Sequence, residues 1–496
     1  MNLNHINVIA RYEVKLVKRS WLFRIFAILA LLFISAIMLG YQTGIVNRMD
    51  NLWPRIAVSS LMPFCNTYFY NIAQSVIVVF LAGSFLKRDK KLDTAEVIYV
   101  RPMSNADYIV GKTWGIVKVF ITLNIITLLF TAFLNILINK SPFDLFPYLF
   151  YLLTISVPSL LFVLGLSFTA MCILKNQAVT FIVMLGIIGT VFFYLTDTLY
   201  GVFDFFGVNI PAIFSDVTGH ADLRLFLLQR FSYLLAGIGL ISMTIALVKR
   251  LPHKPWKIAV VYTFSSLFLL AACLGGLLYI LHYNHQLDLR HQYIMTFDKY
   301  ADVPHVDLLV NDISVTPQGY RLAGKSTVKV ANNNAKPLDK IIFYLNPELT
   351  VTSVEMAGKN LLFRRDHQVI EVDQPIQQQE ELTLTINYEG KISENICYTD
   401  VLTEDYLDTK VPQVFWRFGK RYAWLSNTFT LLTPECIWYP SPPLTRELRT
   451  MSGRISQTIH LPFIMKATRP FCHKAKVRST VRSSPLRIPP LCPESV

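Results

Sequence analysis

Residues 148–195 read YLFYLLTISVPSLLFVLGLSFTAMCILKNQAVTFIVMLGIIGTVFFYL and carry a single charged side chain, Lys175. A bilayer core about 30 Å thick needs about 20 mostly apolar helical residues. Lys175-Asn-Gln splits this stretch into two segments of that order, 148–174 and 178–195. Pro158, Gly165, Gly186 and Gly189 inside them are residues that helices in an apolar medium accept more readily than helices in water. Working outward, 21–41, 63–86 and 114–138 precede them, and 231–248 and 258–281 follow, giving seven segments in all. Over the whole chain 53% of residues are hydrophobic and 16% charged. Soluble domains carry about 25% charged residues, so an all-soluble protein is excluded. Residues 1–41, with basic residues before an apolar run, have the order of a secretory signal. The run is too long for one, and reads as an uncleaved first span with Arg24 near its start, in reach of the headgroups.

Charge fixes a direction. The net charge of +14 over 496 residues is unevenly spread: 444–496 holds ten Lys or Arg against two Asp or Glu. The excess outside that tail is ordinary for a membrane protein with basic inner loops, so no nucleic-acid partner is expected. With the N-terminus inside, the inner segments 1–20, 87–112, 175 and 249–257 hold fifteen Lys or Arg, and the outer ones five: Arg48, Arg55, Lys140, Arg224 and Arg230. That bias sets the N-terminus inside and places everything after His282 outside. Ahead of the first span, Ile6, Ile9, Ala10, Val14 and Val17 recur at helical spacing, with Asn7, Arg11, Lys15 and Lys18 opposite. This predicts an amphipathic helix over 1–20 on the inner surface of the lipid bilayer, its basic face toward anionic headgroups. The plainer alternative is a frayed basic leader.

The loop from Lys87 to Lys112, KRDKKLDTAEVIYVRPMSNADYIVGK, mixes Asp89, Asp93, Glu96 and Asp107 with six basic residues, and Pro102 interrupts it. The pattern predicts a short helix from Leu92 to Val100, a turn at Arg101-Pro102, and a second helix starting at Ser104-Asn105. A rigid mixed-charge element suits docking to a soluble partner; a solvated connection is the plainer reading.

The surface helix, the following pair of spans, and the Arg101-Pro102 step leading through Tyr108 to Gly111-Lys112 resemble the permease subunits of type-2 ABC exporters. The long segment 196–230, whose aromatic stretch Val202–Phe214 is interrupted by Asn209 and Pro211, resembles the partly re-entrant outer segment of that family. The likeness covers 1–250, as six spans over 21–250; the seventh, within 251–281, departs from the family pattern. It implies a chain in the bacterial inner membrane that works as a homodimer or paired permease with an ABC ATPase subunit. ATP would be bound by that subunit, so no cofactor is expected here. It also implies that Asp89, Glu96, Arg101, Pro102, Asp107 and Lys112 meet the ATPase, and that Arg11, Lys15 and Lys18 hold the surface helix to the membrane. Gly319-Tyr-Arg-Leu-Ala-Gly324-Lys325-Ser326 does match a phosphate-binding loop. Such a loop must open a helix whose N-terminus faces phosphate, whereas Thr327–Val330 alternates as a strand does, so a hairpin is expected.

From about Tyr293 to Tyr439 the period changes to two. Strands are predicted at 320–323, 326–330, 340–345, 350–354, 367–372 and 381–388, enough for an extracytoplasmic all-β sandwich or saddle over 282–443. Gly324–Val330, Ile342–Pro347, Leu382–Gly390 and Leu432–Pro440 resemble, in order, the N-terminal β-domain of aminopeptidase-N-like zinc metallopeptidases. In that family zinc sits further along the chain on H-E-x-x-H. None of the ten His residues here is followed by Glu, and the G-A-M-E-N motif is missing, so no catalytic residue and no metal ligand is assigned. His282, His285 and His291 are read as juxtamembrane residues in water. Cys397 and Cys436 can pair in an oxidising compartment and stay thiols in a reducing one.

The tail 444–496 has ten basic residues, six prolines and no sustained period, and is expected to be disordered. It is either a basic arm or the product of a shifted reading frame, the second being preferred because the change falls inside the peptidase-like stretch. Three functions are therefore carried forward. The first is a permease subunit of an ABC exporter with an outward peptidase-like β-domain. The alternative is a membrane-anchored aminopeptidase-like protein truncated before its catalytic domain. The third is a sensor or scaffold.

Overall fold

The computed structural model describes residues 2–42, 60–83, 103–138, 143–196, 198–207, 210, 214–215, 219–220, 222–248, 255–399, 422–426, 430–443 and 463–467. The chain divides between Asn284 and His285 into a mainly helical unit and a mainly β unit.

In the helical unit α1 (Leu3–Arg19) and α2 (Trp21–Gln42) meet at Ser20 with a bend of 72°. Then come α3 (Leu61–Gly83), α4 (Asn105–Ile138), α5 (Phe146–Leu174), α6 (Gln177–Leu195), α7 (Leu223–Leu247) and α8 (Pro255–Tyr300). Six of these are long and apolar enough to cross a membrane, and the bent pair α1–α2 makes a seventh if taken as one. α4 starts where the sequence sets it, because Ser104 and Asp107 cap each other. The Ser104 hydroxyl accepts from the Asp107 N–H at 3.1 Å and the Asp107 carboxylate accepts from the Ser104 N–H at 3.2 Å. α5 carries a π-turn at Leu152–Ser156, just before Pro158. α6 ends in a second π-turn, Val191–Leu195. Aromatic side chains fill the bundle: Phe64, Tyr70, Phe120, Tyr151, Phe168 and Phe206 are wholly buried in one apolar core.

Two helix limits differ from the sequence reading. The segment 196–230 is not loop to its end, since α7 begins at Leu223 and takes in both Arg224 and Arg230. Hydropathy breaks at Arg230, but Phe226 and Gln229 share its buried side and the helix runs through. α8 likewise runs past 281 to Tyr300. The residues after Leu281 are more polar, which ends the apolar run, yet no Gly or Pro occurs between Gly276 and Pro304 to end the helix. His282, His285 and His291 are therefore helical residues.

Two short strands, β1 (Phe214–Ser215) and β2 (Gly219–His220), pair antiparallel in the helical unit. The β unit contains β3 (Asp307–Gln318), β4 (Arg321–Ala331), β5 (Ile341–Tyr344), β6 (Leu349–Met356), β7 (Lys359–Asn360), β8 (Phe363–Asp366), β9 (Val369–Val372) and β10 (Glu381–Gly390). β11 (Ala423–Leu425), β12 (Thr430–Leu432) and β13 (Phe463–Ala467) complete it. A six-stranded sheet has the order β13-β3-β4-β10-β6-β7, and a three-stranded sheet the order β5-β9-β8. Ile313, Val328, Val330, Leu384 and Ile386 of the larger sheet share a core with Ile341, Phe343, Ile370 and Val372 of the smaller. The alternate residues Ile342, Tyr344 and Val369 pack instead with Tyr293, Phe297 and Tyr300 at the end of α8. Ile341-Ile-Phe-Tyr344 is buried at every position because both of its faces are covered.

The two strands expected at 320–323 and 326–330 are one strand, β4. Gly319 (φ +64°) sits in the turn from β3 into β4, and Gly324 lies opposite Tyr388 in the ladder, so the phosphate-loop match is a hairpin. β3 lies ahead of the first strand that the period-two pattern predicts. Its alternation is interrupted by a bulge between Leu308 and Val310 and by buried Asn311, which donates to the Pro440 carbonyl at 3.0 Å. In the tail, β13 pairs in parallel with Asn311–Val315 of β3, a departure from the expected absence of regular structure there.

Candidate functional site

The sequence of α5 creates a vacancy in its own hydrogen-bond ladder. Pro158 has no N–H to offer the Thr154 carbonyl four residues back. That carbonyl instead accepts from Arg230 Nε on α7 at 3.2 Å. Arg230 is 1% exposed, and each of its remaining donors is also engaged. Nη1 donates to the Asp204 carbonyl at 3.2 Å and to Gln229 Oε1 at 3.3 Å. Nη2 donates to Ser159 Oγ at 2.8 Å and to the Phe205 carbonyl at 3.0 Å. A guanidinium has five N–H donors, and all five are matched. Without such partners its burial would cost several kcal/mol.

Around this cation lies a polar seam. Asn71 of α3 donates to Ser159 Oγ at 2.9 Å and to the Phe206 carbonyl, and Gln74 donates to Asn71. Asn124 of α4 donates to Ser156 Oγ at 2.8 Å. Gln229 Nε2 donates to the Gly201 and Asp204 carbonyls, each at 3.0 Å. Asp204, wholly buried, accepts from the Gly207 N–H at 3.0 Å. The segment Thr198–Gly207 thus folds back against α3, α5 and α7. It turns through left-handed backbone at Leu199, Tyr200, Gly201 and Gly207. Gly207 is required twice over: its φ is +69°, and a Cβ there would stand 2.5 Å from Arg230 Nη1.

A second polar group joins α1 to α4. Asp107 accepts from the Asn2 backbone N–H at 2.8 Å, and His5 Nδ1 lies 3.9 Å from its other oxygen. Lys112 Nζ is 3.7 Å from Glu13 Oε2, with both side chains almost completely buried. The helices approach this closely because α4 presents Gly111 and Gly115, where a Cβ would meet Ile9 at 2.8 Å and Glu13 at 2.7 Å. α1 therefore packs along α4 through Ile6, Ala10, Glu13 and Val17, leaving Arg11, Lys15 and Lys18 exposed on its other side.

Of the residues assigned to an ATPase contact, Asp107 and Lys112 are buried and engaged with α1. Asp89, Glu96, Arg101 and Pro102, and the short helix expected over 92–100, lie outside the described residues. Asn71, Gln74, Asn124 and Asn135, polar residues inside the apolar stretches, hydrogen-bond to buried partners, Asn135 to the Tyr148 hydroxyl at 3.3 Å. Hydropathy alone assigns Arg230 to an outer loop, whereas the structure buries it within α7 at the centre of the seam. The usable signal was Pro158, which announces an unpaired carbonyl inside an apolar helix. Among the described residues no group of three or more His, Cys, Asp or Glu is arranged to hold a metal ion.

No family model matches the chain, and no curated protein matches it. Among solved structures, an M1 zinc metallopeptidase from Deinococcus radiodurans matches at 23% identity with a TM-score of 0.17. The match covers 18% of this chain and 21% of that one. A mutant of the same enzyme bound to a Tyr-Ser-Ala substrate matches with the same values. The chain spans about a fifth of the length of those structures.

Proposed function

We propose that the chain is the membrane-spanning permease subunit of an ATP-driven ABC exporter, set in a bacterial cytoplasmic membrane with its N-terminus inside and its β unit outside. The observation that supports this best is the seam around Arg230. A bundle that only anchors a domain gains nothing from an ionisable residue among apolar helices, where one costs at least about 2.5–3.5 kcal/mol on insertion scales. Buried charge in such a setting marks a path or a moving part. Here it clamps the irregular segment Thr198–Gly207 between helices, an arrangement held by hydrogen bonds that can exchange partners as helices shift.

The α1–α4 junction supplies the inner end of the mechanism. α4 starts at Asn105, directly after the loop assigned to the ATPase, and Asp107 and Lys112 tie it to α1. A push on that loop would therefore move α1 and α4 together, toward Asn124 and the seam. The basic residues Arg11, Lys15 and Lys18 would ride on anionic headgroups. The chain would work as a homodimer or with a second permease, and the partner subunit would bind ATP.

The assignment is tested by charge reversal. Asp89→Lys with Glu96→Lys, made in the full chain and purified with its partner, should leave the helical unit folded and lower coupled ATP hydrolysis by about tenfold or more, the loss of about 1.4 kcal/mol of contact. Unchanged hydrolysis in an intact complex would remove these residues from the contact.

A further inference from the structure

Cys397 and Cys436 are 39 positions apart in sequence, yet their Sγ atoms lie 3.4 Å apart and neither residue is exposed. Each follows or ends a short turn, Glu394–Ile396 and Pro434–Cys436. Both turns are fixed from outside. Asn346 Nδ2 donates to the Ser393 carbonyl at 2.8 Å and to the Cys436 carbonyl at 2.7 Å, bridging the two segments. Arg290 of α8, itself buried, donates to the carbonyls of Asn395 at 3.2 Å, Cys397 at 2.6 Å and Tyr398 at 2.8 Å. Tyr293, Phe297, Tyr344, Ala423 and Ile437 wall the pair with apolar surface.

Three chemistries bring two thiols together. A metal site needs further ligands, and among the described residues none is grouped there. A reactive thiol needs access and an easily formed thiolate, and burial pushes the Cys397 thiol well up. A disulfide needs only the proximity that the two turns enforce, and it removes two weakly polar S–H groups from an apolar core.

We propose that Cys397 and Cys436 are joined in the native protein by a disulfide that links the two short turns of the β unit. The oxidant is a protein disulfide of the thiol-oxidase class. The thiolate of one cysteine attacks the acceptor disulfide, giving a mixed disulfide and releasing one acceptor sulfur. The second cysteine, losing its proton, displaces the other acceptor sulfur. Two electrons and the two thiol protons end on the acceptor as a dithiol, and one S–S bond replaces another. Because the closed core suppresses thiolate, the exchange belongs to folding, before the turns are sealed. The proposal rests on the outward placement of the β unit.

The full-chain protein, in the membranes of the cells that make it, is acid-quenched, denatured and treated with N-ethylmaleimide before and after reduction, then digested for mass spectrometry. Expected are a linked peptide pair containing Cys397 and Cys436, its disappearance on reduction, and no alkylation of either thiol beforehand. Alkylation of both in the unreduced sample, or linkage of Cys397 to another cysteine, overturns the proposal. Refolding the reduced protein in oxidised glutathione then separates the causes. A bond formed there but absent in cells counts against the outward placement, and no bond in either setting counts against the pairing itself.

Discussion

Two fully buried arginines, Arg230 in the helical unit and Arg290 in the β unit, face the same problem in different surroundings. Each projects from a helix and donates to the carbonyls of a nearby irregular segment, Asp204 and Phe205 in one case and Asn395, Cys397 and Tyr398 in the other. The difference lies in what surrounds the clamp. Arg230 also engages Ser159 and Gln229, and through Ser159 it reaches Asn71 and Gln74, so its bonds join a network drawn from α3, α5 and α7. Arg290 pins a turn of a unit whose main core is formed by two apolar sheet faces. A buried cation in the first setting is part of the architecture; in the second it fastens one edge.

That contrast is broken most sharply by removing each guanidinium. Arg230→Met should destabilise the helical unit by about 3–5 kcal/mol, since it strands several buried acceptors at once. Thermal unfolding of the purified protein in detergent would show it, and a loss under 1 kcal/mol would mean that the seam is not a unit. Arg290→Met should cost about 1.5–3 kcal/mol and act locally. Hydrogen exchange should rise at Asn395–Tyr398 while β4 and β10 stay protected; loss of protection across both strands would erase the distinction. Gly207→Ala sharpens the first half of the comparison. A side chain at left-handed φ pressed on Arg230 should cost about 1–3 kcal/mol; in the Arg230→Met background the part due to the clash should go and the part due to φ remain.

The smallest effect concerns pH and belongs to the β unit. The Lys299 ammonium, 2.6 Å away, holds the Asp366 carboxyl below its usual range, and the Tyr300 hydroxyl does the same for Glu371. Both folded-state values are depressed, so their stabilisation is complete above the ordinary carboxylate range, about pH 4. It is lost as pH falls through the folded values. The β unit should therefore unfold more readily in acid, and Asp366→Asn should flatten part of that slope. An unchanged acid slope in the variant would show that this rim ion pair contributes nothing measurable, as is common for exposed pairs.

Much of the helical unit was legible because length and hydropathy are local properties. The start of α4 at Ser104-Asn105 and the paired limits of α5 and α6 around Lys175 follow from residues a few positions apart. What was not legible depends on partners distant in sequence. Hydropathy assigns Arg230 to water, whereas most of the acceptors that allow its burial lie 25 or more positions away. α8 was cut short at 281 for the same reason, because its polar end packs on β5 and β9 through Tyr293, Phe297 and Tyr300. β3 was missed because a bulge breaks its period and Asn311 is buried by bonding to Pro440. At the α1–α4 junction the resemblance assigns Asp107 and Lys112 to a partner, whereas α1, some 100 residues earlier, takes up both.

The most direct measurement is to purify the tagged full chain in mild detergent from its own host and identify what accompanies it. A permease predicts a stoichiometric ATP-hydrolysing subunit, retained by the wild type and released when Asp89 and Glu96 are reversed. Recovery of the intact, folded chain with no such subunit, under conditions that preserve other membrane complexes, would contradict the exporter assignment.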